Sequence, residues 1–477
     1  MIFENVLDIG QLVILIYFLA LNSAYLSFTV IAFFDLVKYR RKLYRGDLRV
    51  VLTENAYRPI SILVPAHNER ETIVSNVRSL LALGYPEFEI IVINDGSTDD
   101  TVDVLRQAFG LFLVPAATRV AIKSKPFKAV YRSLDHPSLV VVDKENGGKS
   151  DALNAGLNVA SYPLYCSIDA DSLLESDAVL RVARAFAEDE RIVAAGGIVR
   201  VLNGSVVSEG RVVEAQSPGR PMLLAQALEY IRGFLTGRTA LARLNSLMII
   251  SGAFGIFRKD AVIAAGGYRR DTVCEDMELI VRLHRRSRER KEPGKVIFVP
   301  DPICWTQIPS DWRSLLRQRD RWQRGLLESL WMHRRMFLNP RYGSAGLIAM
   351  PYYTLFEAIG PLVEAFGYLF IVALWLLGRL ETEFAVLFFL FAILYDIVLT
   401  VGALILDDLL FRRYSRTFDL ARMIAGSFMA YLGYRQILAF QRSLSFVTVF
   451  IKRRKWEKVK RQAISPAPVR MQEAGGR

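Results

Sequence analysis

Two hydrophobic patterns alternate along the chain, and each predicts a different kind of element. From Leu12 to Phe34 no charged residue interrupts an apolar run. Roughly 20 residues at 1.5 Å rise are enough for a helix to cross the roughly 30 Å hydrocarbon core of a bilayer. Residues 361–378 and 384–406 have the same character and predict two further spans. The apolar stretch 344–360 contains Pro351 and Glu357, which favours a helix lying in the interface or re-entering the membrane. Residues 418–450, punctuated by Arg422, Arg435, Gln436, Gln441 and Arg442, predict a final segment of the same kind. Between these regions the pattern changes. Short β-branched runs (ISILVP, EIIVIND, SLVVVD, LYCSID) follow one another from Pro59, separated by amphipathic stretches that predict helices through Leu80, from Asp99 and from Lys149. Strands that are apolar on both faces and separated by helices imply an α/β domain with a mostly parallel sheet. Residues 110–137, rich in Lys, Arg and Pro, give no regular assignment.

Charge sets the expected orientation. Glu4 and Asp8 precede the first apolar run, whereas Lys38, Arg40, Arg41, Lys42 and Arg45 follow it, the reverse of a secretory signal. The positive-inside bias therefore places residue 1 outside and the chain from about residue 38 in the cytoplasm, with GRLETE external and FRRYSR internal. The expected layout is an N-terminal span in 1–36, a cytoplasmic domain in 37–340, interfacial and transmembrane helices in 341–450 and a basic cytoplasmic tail in 451–477. The layout predicts a multi-pass protein of the inner (plasma) membrane. A hydrophobic content of 52% fits that layout, and the net charge of +13 gathers beside the spans, where it favours anionic headgroups of membrane lipids. No stripe of interleaved aromatics on a soluble face accompanies that charge, so nucleic acid is not an expected partner. The three cysteines have no CxxC spacing and predict reduced thiols.

Polar clusters follow the strand ends, where parallel sheets bind their ligands. Asp169 and Asp171 of DADS, read as extended, project to one side and can address one divalent ion, Mg²⁺ or Mn²⁺. Asp95 ends EIIVIND and can accept an imide or amino N–H from a base, while Glu69 can hold ribose or base from the neighbouring strand. Helix capping explains Asn68 and Asp99 equally well. Lys149 opens a helix after paired glycines, where an ammonium and backbone N–H groups meet phosphate. In QRDRW, Arg321 offers a bidentate contact to phosphate and Trp322 a flat face for a sugar ring. Pairing of Arg321 with Asp320 or a headgroup, and a membrane-anchor role for Trp322, stay open as alternatives.

Taken in order, VPAHNE, NDGSTDD, NGGKSDALNAG, DADS, CED and QRDRW resemble a bacterial membrane-embedded family-2 glycosyltransferase of the polysaccharide-synthase type, over about residues 57–325. The resemblance implies a GT-A type nucleotide-sugar-binding domain flanked by transmembrane and interfacial helices. By position, it implies donor contacts from Glu69, Asp95, Lys149, Asp169, Gln318 and Arg321, a metal on Asp171, and Asp276 as base. Ser251, Gly252, Ala253, Phe254, Glu275 and Trp322 fall at acceptor-contacting positions. The implied activity is metal-dependent, inverting transfer from a nucleotide-diphosphate sugar, such as a UDP-sugar, to a glycan acceptor at the cytoplasmic membrane face, polymerising β-glycosides. The alternative is a single transfer to a lipid or lipid-linked acceptor. Export or accessory proteins stay open as further partners. Cys274 stands where the family often has Thr, His67 where Tyr is frequent, and FVTVFIK departs from the gating pattern of cellulose synthases.

Overall fold

The computed structural model describes residues 2–45, 57–115, 120–208, 210–292, 294–411, 417–430 and 433–451. The expected basic tail and most of FRRYSR lie outside the described residues.

A ten-stranded sheet forms the centre, in the order β3-β4-β5-β2-β1-β6-β11-β8-β12-β7. Its strands are β1 (Ile60–Ala66), β2 (Phe88–Asp95), β3 (Leu111–Val114), β4 (Phe127–Ser133), β5 (Leu139–Lys144), β6 (Leu164–Ile168), β7 (Leu173–Leu174), β8 (Ile192–Val201), β11 (Phe254–Arg258) and β12 (Lys295–Thr306). A separate two-stranded ribbon holds β9 (Val206–Ser208) and β10 (Arg211–Glu214). The middle strands β5, β2, β1 and β6 are parallel. β4 and β11 run antiparallel to them on either side. All eight residues of β2 but the first are buried, because helices cover both faces and every side chain needs an apolar neighbour. The stretch 110–137 contributes the hairpin-like pair β3 and β4 at the sheet edge.

The helices used below are α1 (Ile2–Arg45), α2 (Ile73–Leu81), α3 (Thr101–Phe109), α4 (Lys149–Val159), α5 (Ala178–Glu188), α6 (Pro221–Arg232), α7 (Glu275–Glu289), α8 (Trp312–Met332), α9 (Ala345–Leu376), α10 (Thr382–Phe411), α11 (Thr417–Met429) and α12 (Tyr434–Ile451). Three segments, Leu7–Lys42 in α1, α9 and α10, are long and apolar enough to cross a membrane. Exposed apolar side chains such as Phe34, Trp375 and Val398 line their outer faces, as lipid contact requires. The protein is therefore read as membrane-embedded. α1 carries on past residue 36 as one helix. Its inner end is fully buried at Ala32 and Leu36 and pairs with the domain through Lys42–Glu188 at 2.5 Å.

Residues 344–360 do not form a separate interfacial helix. They run into the following span, with a bend at Ile359. Two π-helical segments, Ala345–Ala349 and Tyr353–Ala358, flank the short turn that holds Pro351 and widen the backbone where its ring removes a donor. Glu357 is met by the Tyr352 hydroxyl at 2.9 Å and Arg442 at 3.5 Å. Two of the arginines that punctuate 418–450, Arg435 and Arg442, serve as counter-charges inside the bundle. Arg435 of α12 pairs with Glu364 at 2.9 Å and with Asp396, which also holds Arg232 at 2.5 Å. Burial of Glu364 in a spanning helix is thereby offset. A second buried pair, Arg200–Asp407, ties the end of β8 to α10.

Candidate active site

A cavity of about 1160 Å³ opens between the carboxyl ends of the parallel strands and the membrane helices. Glu69, Asp95, Lys149, Asp169, Asp171, Ser251, Gly252, Ala253, Glu275, Asp276, Gln318, Arg321 and Trp322 all line it. Phe254 does not. It opens β11 fully buried and presses on Gly197, where a Cβ would fall 2.3 Å from its ring.

The strand register builds the first part of the site. Asp95 and Lys144 are Cα partners at the ends of β2 and β5. Lys144 is fully buried and bonds Asp95 at 2.5 Å and Asp151 at 2.9 Å. Asp95 also accepts the backbone N–H groups of Gly147 and Gly148, at 3.0 and 2.7 Å. An ionised carboxylate offers about four acceptor sites, so three are taken and about one faces the cavity. Asp151 in turn accepts Arg270 at 2.8 Å and the Lys125 N–H at 2.9 Å, and this network holds its carboxyl below the ordinary range despite burial. Sequence reading missed Lys144, although an acid and a base ending adjacent parallel strands is a cross-strand signal.

The glycine turn, with Gly148 at φ 86°, delivers Lys149 to the start of α4. Its ammonium lies 2.6 Å from Asp169 and 3.7 Å from Glu275. Burial opposes that charge, but the Asp169 and Glu275 carboxylates outweigh it and raise the pKa. Asp169 and Asp171 sit in a turn beyond β6, closed by the Ser172 N–H to the Asp169 carbonyl at 3.0 Å, so the extended alternation expected of them is absent. Both nonetheless open onto the cavity. Among the described residues no cluster of three His, Cys, Asp or Glu is preformed for a metal. Two hard carboxylates, with remaining positions left to phosphate oxygens and water, still fit Mg²⁺ or Mn²⁺.

Opposite this turn stands the first turn of α7. Asp276 accepts the Gly252 N–H at 3.0 Å through one oxygen and the Met277 N–H at 2.8 Å through the other, which fixes its plane. A helix N-terminus favours a carboxylate there. Burial raises the pKa of neighbouring Glu275, with Asp276 adding to the effect against Lys149. Cys274 is a free thiol whose pKa burial pushes up, which leaves it inert at neutral pH.

Helical spacing divides QRDRW between two neighbours. Gln318, Arg321 and Trp322, at i, i+3 and i+4 of α8, face the cavity. Asp320 turns away and accepts Ser445 at 2.8 Å and Thr448 at 2.7 Å from α12. The Gln318 side-chain oxygen is buried and has no hydrogen-bond partner among the described residues. Trp322 meets Tyr230 at a ring separation of 6.5 Å and carries the Arg319 guanidinium 4.5 Å from its centroid. Gly325 lets α8 close on the turn before α7, since a Cβ there would lie 2.3 Å from Cys274 Cβ and 2.6 Å from its Sγ. Gly325→Ala is therefore expected to cost about 1–3 kcal/mol and to lower turnover by parting Asp276 from Arg321. Adding Cys274→Gly is expected to recover both the melting temperature and the rate, and no recovery would show that this contact does not set the spacing.

Comparison with known proteins fits this geometry. Residues 61–264 match the family described as Glycosyl transferase family 2, and residues 166–406, just over half of the chain, match Glycosyl transferase family group 2. The chain is 30% identical over 269 residues to the poly-beta-1,6-N-acetyl-D-glucosamine synthase of Staphylococcus aureus (strain COL), covering 56% of this chain and 54% of that protein. It is 29% identical over 299 residues to the synthase of the same name from Staphylococcus epidermidis (strain ATCC 35984), covering 61% of each. The chain thus spans about half the length of the curated relatives it matches. A solved structure, the mannosyltransferase PcManGT from Pyrobaculum calidifontis in complex with GDP-Man and Mn²⁺, aligns with a TM-score of 0.51 at 18% identity, over 88% of this chain and 99% of that one. This likeness shows a GT-A fold.

Proposed function

Because the chain belongs to the family 2 glycosyltransferases, we propose that it transfers sugar from a UDP-sugar to a glycan acceptor with inversion, building β-glycosides at the cytoplasmic membrane face. The observation that carries this reading is one cavity shared by the strand-end carboxylates, Lys149, Asp276 and the Arg321–Trp322 face of α8. The remaining acceptor site of Asp95 suits one N–H of a base, beside Glu69. Lys149, Arg321 and the amide of Gln318 hold the diphosphate, where negative charge grows as the sugar departs. Asp169 and Asp171 would hold a divalent cation, which when bound supplies further positive charge at the leaving group. Asp276 takes the proton of the attacking hydroxyl, and its two backbone N–H bonds keep its free lone pairs aimed at the cavity. Trp322 gives the acceptor ring a stacking face, with Ser251, Gly252, Ala253 and Glu275 around it.

Polymerisation is favoured because the cavity continues past Trp322 among Tyr352, Tyr353, Phe356 and Tyr434 of the membrane-facing helices. The test is a panel of nucleotide sugars given to purified protein in lipid nanodiscs, with Mg²⁺, Mn²⁺ or EDTA, reading free nucleoside diphosphate and product size. UDP-N-acetylglucosamine heads the panel on the strength of the staphylococcal relatives. Expected are release from one donor, loss of at least tenfold in rate with EDTA, and a ladder of products. No release from any donor would defeat glycosyl transfer. A single-sugar lipid would replace the polymerase with a one-step transferase, and full activity in EDTA would remove the metal.

A further inference from the structure

The segment Gly233–Arg238 forms one π-helical turn at the end of α6. Wide turns of this kind recur at functional sites, and Gly233, Phe234, Thr236, Gly237 and Arg238 all line the cavity. A Cβ on Gly233 or Gly237 would meet nothing within 4 Å, so this backbone borders open space. Arg238 lies with its guanidinium 3.6 Å from the Phe234 ring centroid. Apart from Arg321, the other arginines of the cavity wall have carboxylate partners: Arg232 with Asp396, Arg270 with Asp151, Arg319 with Glu229, Arg435 with Glu364 and Arg442 with Glu357. Among the described residues no carboxylate comes within salt-bridge distance of Arg238, and its electrostatic neighbours are Tyr353, Asp276 and Tyr230. Burial draws its pKa down to about 10, which keeps it charged at neutral pH. A half-buried cation without a close counter-charge costs stability unless something else fills its hydrogen bonds.

We propose that Arg238 is an acceptor-binding residue, whose guanidinium edge donates hydrogen bonds to oxygens of the sugar that presents the attacking hydroxyl. This inference rests on the glycosyl-transfer reading above. Position argues for acceptor over donor. Arg238 stands with Tyr230, Phe234 and Tyr353 on the side of the membrane helices and has the proposed base Asp276 as an electrostatic neighbour, whereas Lys149 and the cation-holding Asp169 and Asp171 lie at the sheet. The same position argues for a neutral sugar, because an acceptor anion would be repelled by the ionised Asp276 carboxylate beside it. Phe234 covers one face of the guanidinium and leaves its edge N–H groups to satisfy.

Arg238→Lys and Arg238→Met test this in the full chain in nanodiscs, using the nucleotide sugar that the panel selects and a tetrasaccharide of the same sugar as acceptor. For the methionine variant the acceptor KM is expected to rise at least tenfold, with the lysine variant in between. Donor KM and nucleoside diphosphate release without acceptor are expected to stay within twofold of wild type. If both KM values rise together, the guanidinium faces the diphosphate and the proposal fails. It also fails if the acceptor KM of either folded variant is unchanged. Wild-type protein that releases no nucleoside diphosphate from any donor would instead overturn the glycosyl-transfer reading itself, before any variant is compared.

Discussion

Asp276→Asn is expected to lower turnover by about 10² to 10⁴, the contribution of a positioned general base, while donor affinity stays within twofold. The amide keeps the shape of the side chain and one oxygen for the Gly252 N–H, and gives up only the bond from the Met277 N–H, so the first turn of α7 keeps its tie to the Gly252 loop. What disappears is the lone-pair charge that takes the acceptor proton. Separating kcat from donor binding decides the outcome: titration of the variant with UDP-sugar checks the affinity, and single-turnover transfer checks the rate. Wild-type transfer by the variant would assign the base elsewhere, with Glu275 the nearest alternative. Loss of donor binding in equal measure would make Asp276 a structural residue of the cavity floor.

Lys144→Met is expected to act from inside the domain, through stability and donor KM together. The substitution removes one cation from between two buried carboxylates, those of Asp95 and Asp151. Breaking a buried pair by removing one partner costs about 3–5 kcal/mol. The lower end is expected here, because Asp95 keeps the Gly147 and Gly148 N–H groups and Asp151 keeps Arg270. Asp95 and the glycine turn that carries Lys149 then lose their common anchor, and donor KM is expected to rise about tenfold. Thermal unfolding in detergent and donor titration check the two halves separately. A variant as stable as wild type, with the same donor KM, would mean that Lys144 does not organise the turn.

The central strands were legible in the sequence because each is an unbroken apolar run closed by a polar cluster, and burial on both faces leaves no other pattern available. That regularity brought Asp95, Lys149 and Asp169 to one edge of the sheet without any knowledge of side-chain contacts. The edge strands β3 and β4 were not legible. With Phe112 and Leu113 exposed, an edge strand needs only weak alternation, and Lys and Arg between the apolar positions mask it. Lys144 was hidden for a different reason. A lysine at a strand end ordinarily reads as solvated, and only the register with Asp95 shows that it is enclosed. Arg238 carries no motif at all, since what marks it is a place on the cavity wall with no carboxylate of the described residues within salt-bridge distance, a property of the fold alone. The polar residues of the membrane region were hard to interpret for another reason. Pro351, Glu357 and the arginines of α12 were read one by one as arguments against a full span, and only the fold shows that Glu357 and Glu364 meet Arg442 and Arg435 and that π-helical turns flank Pro351.

Catalysis within the cavity, with donor and base on facing walls, is tested most directly by a structure of the protein bound to its nucleotide sugar and a divalent ion. The account requires the diphosphate between Asp171 and Arg321, the nucleobase beside Asp95, and the anomeric carbon turned toward Asp276 across open space. A donor seated elsewhere, or one whose anomeric carbon is walled off from Asp276 by backbone, would contradict it.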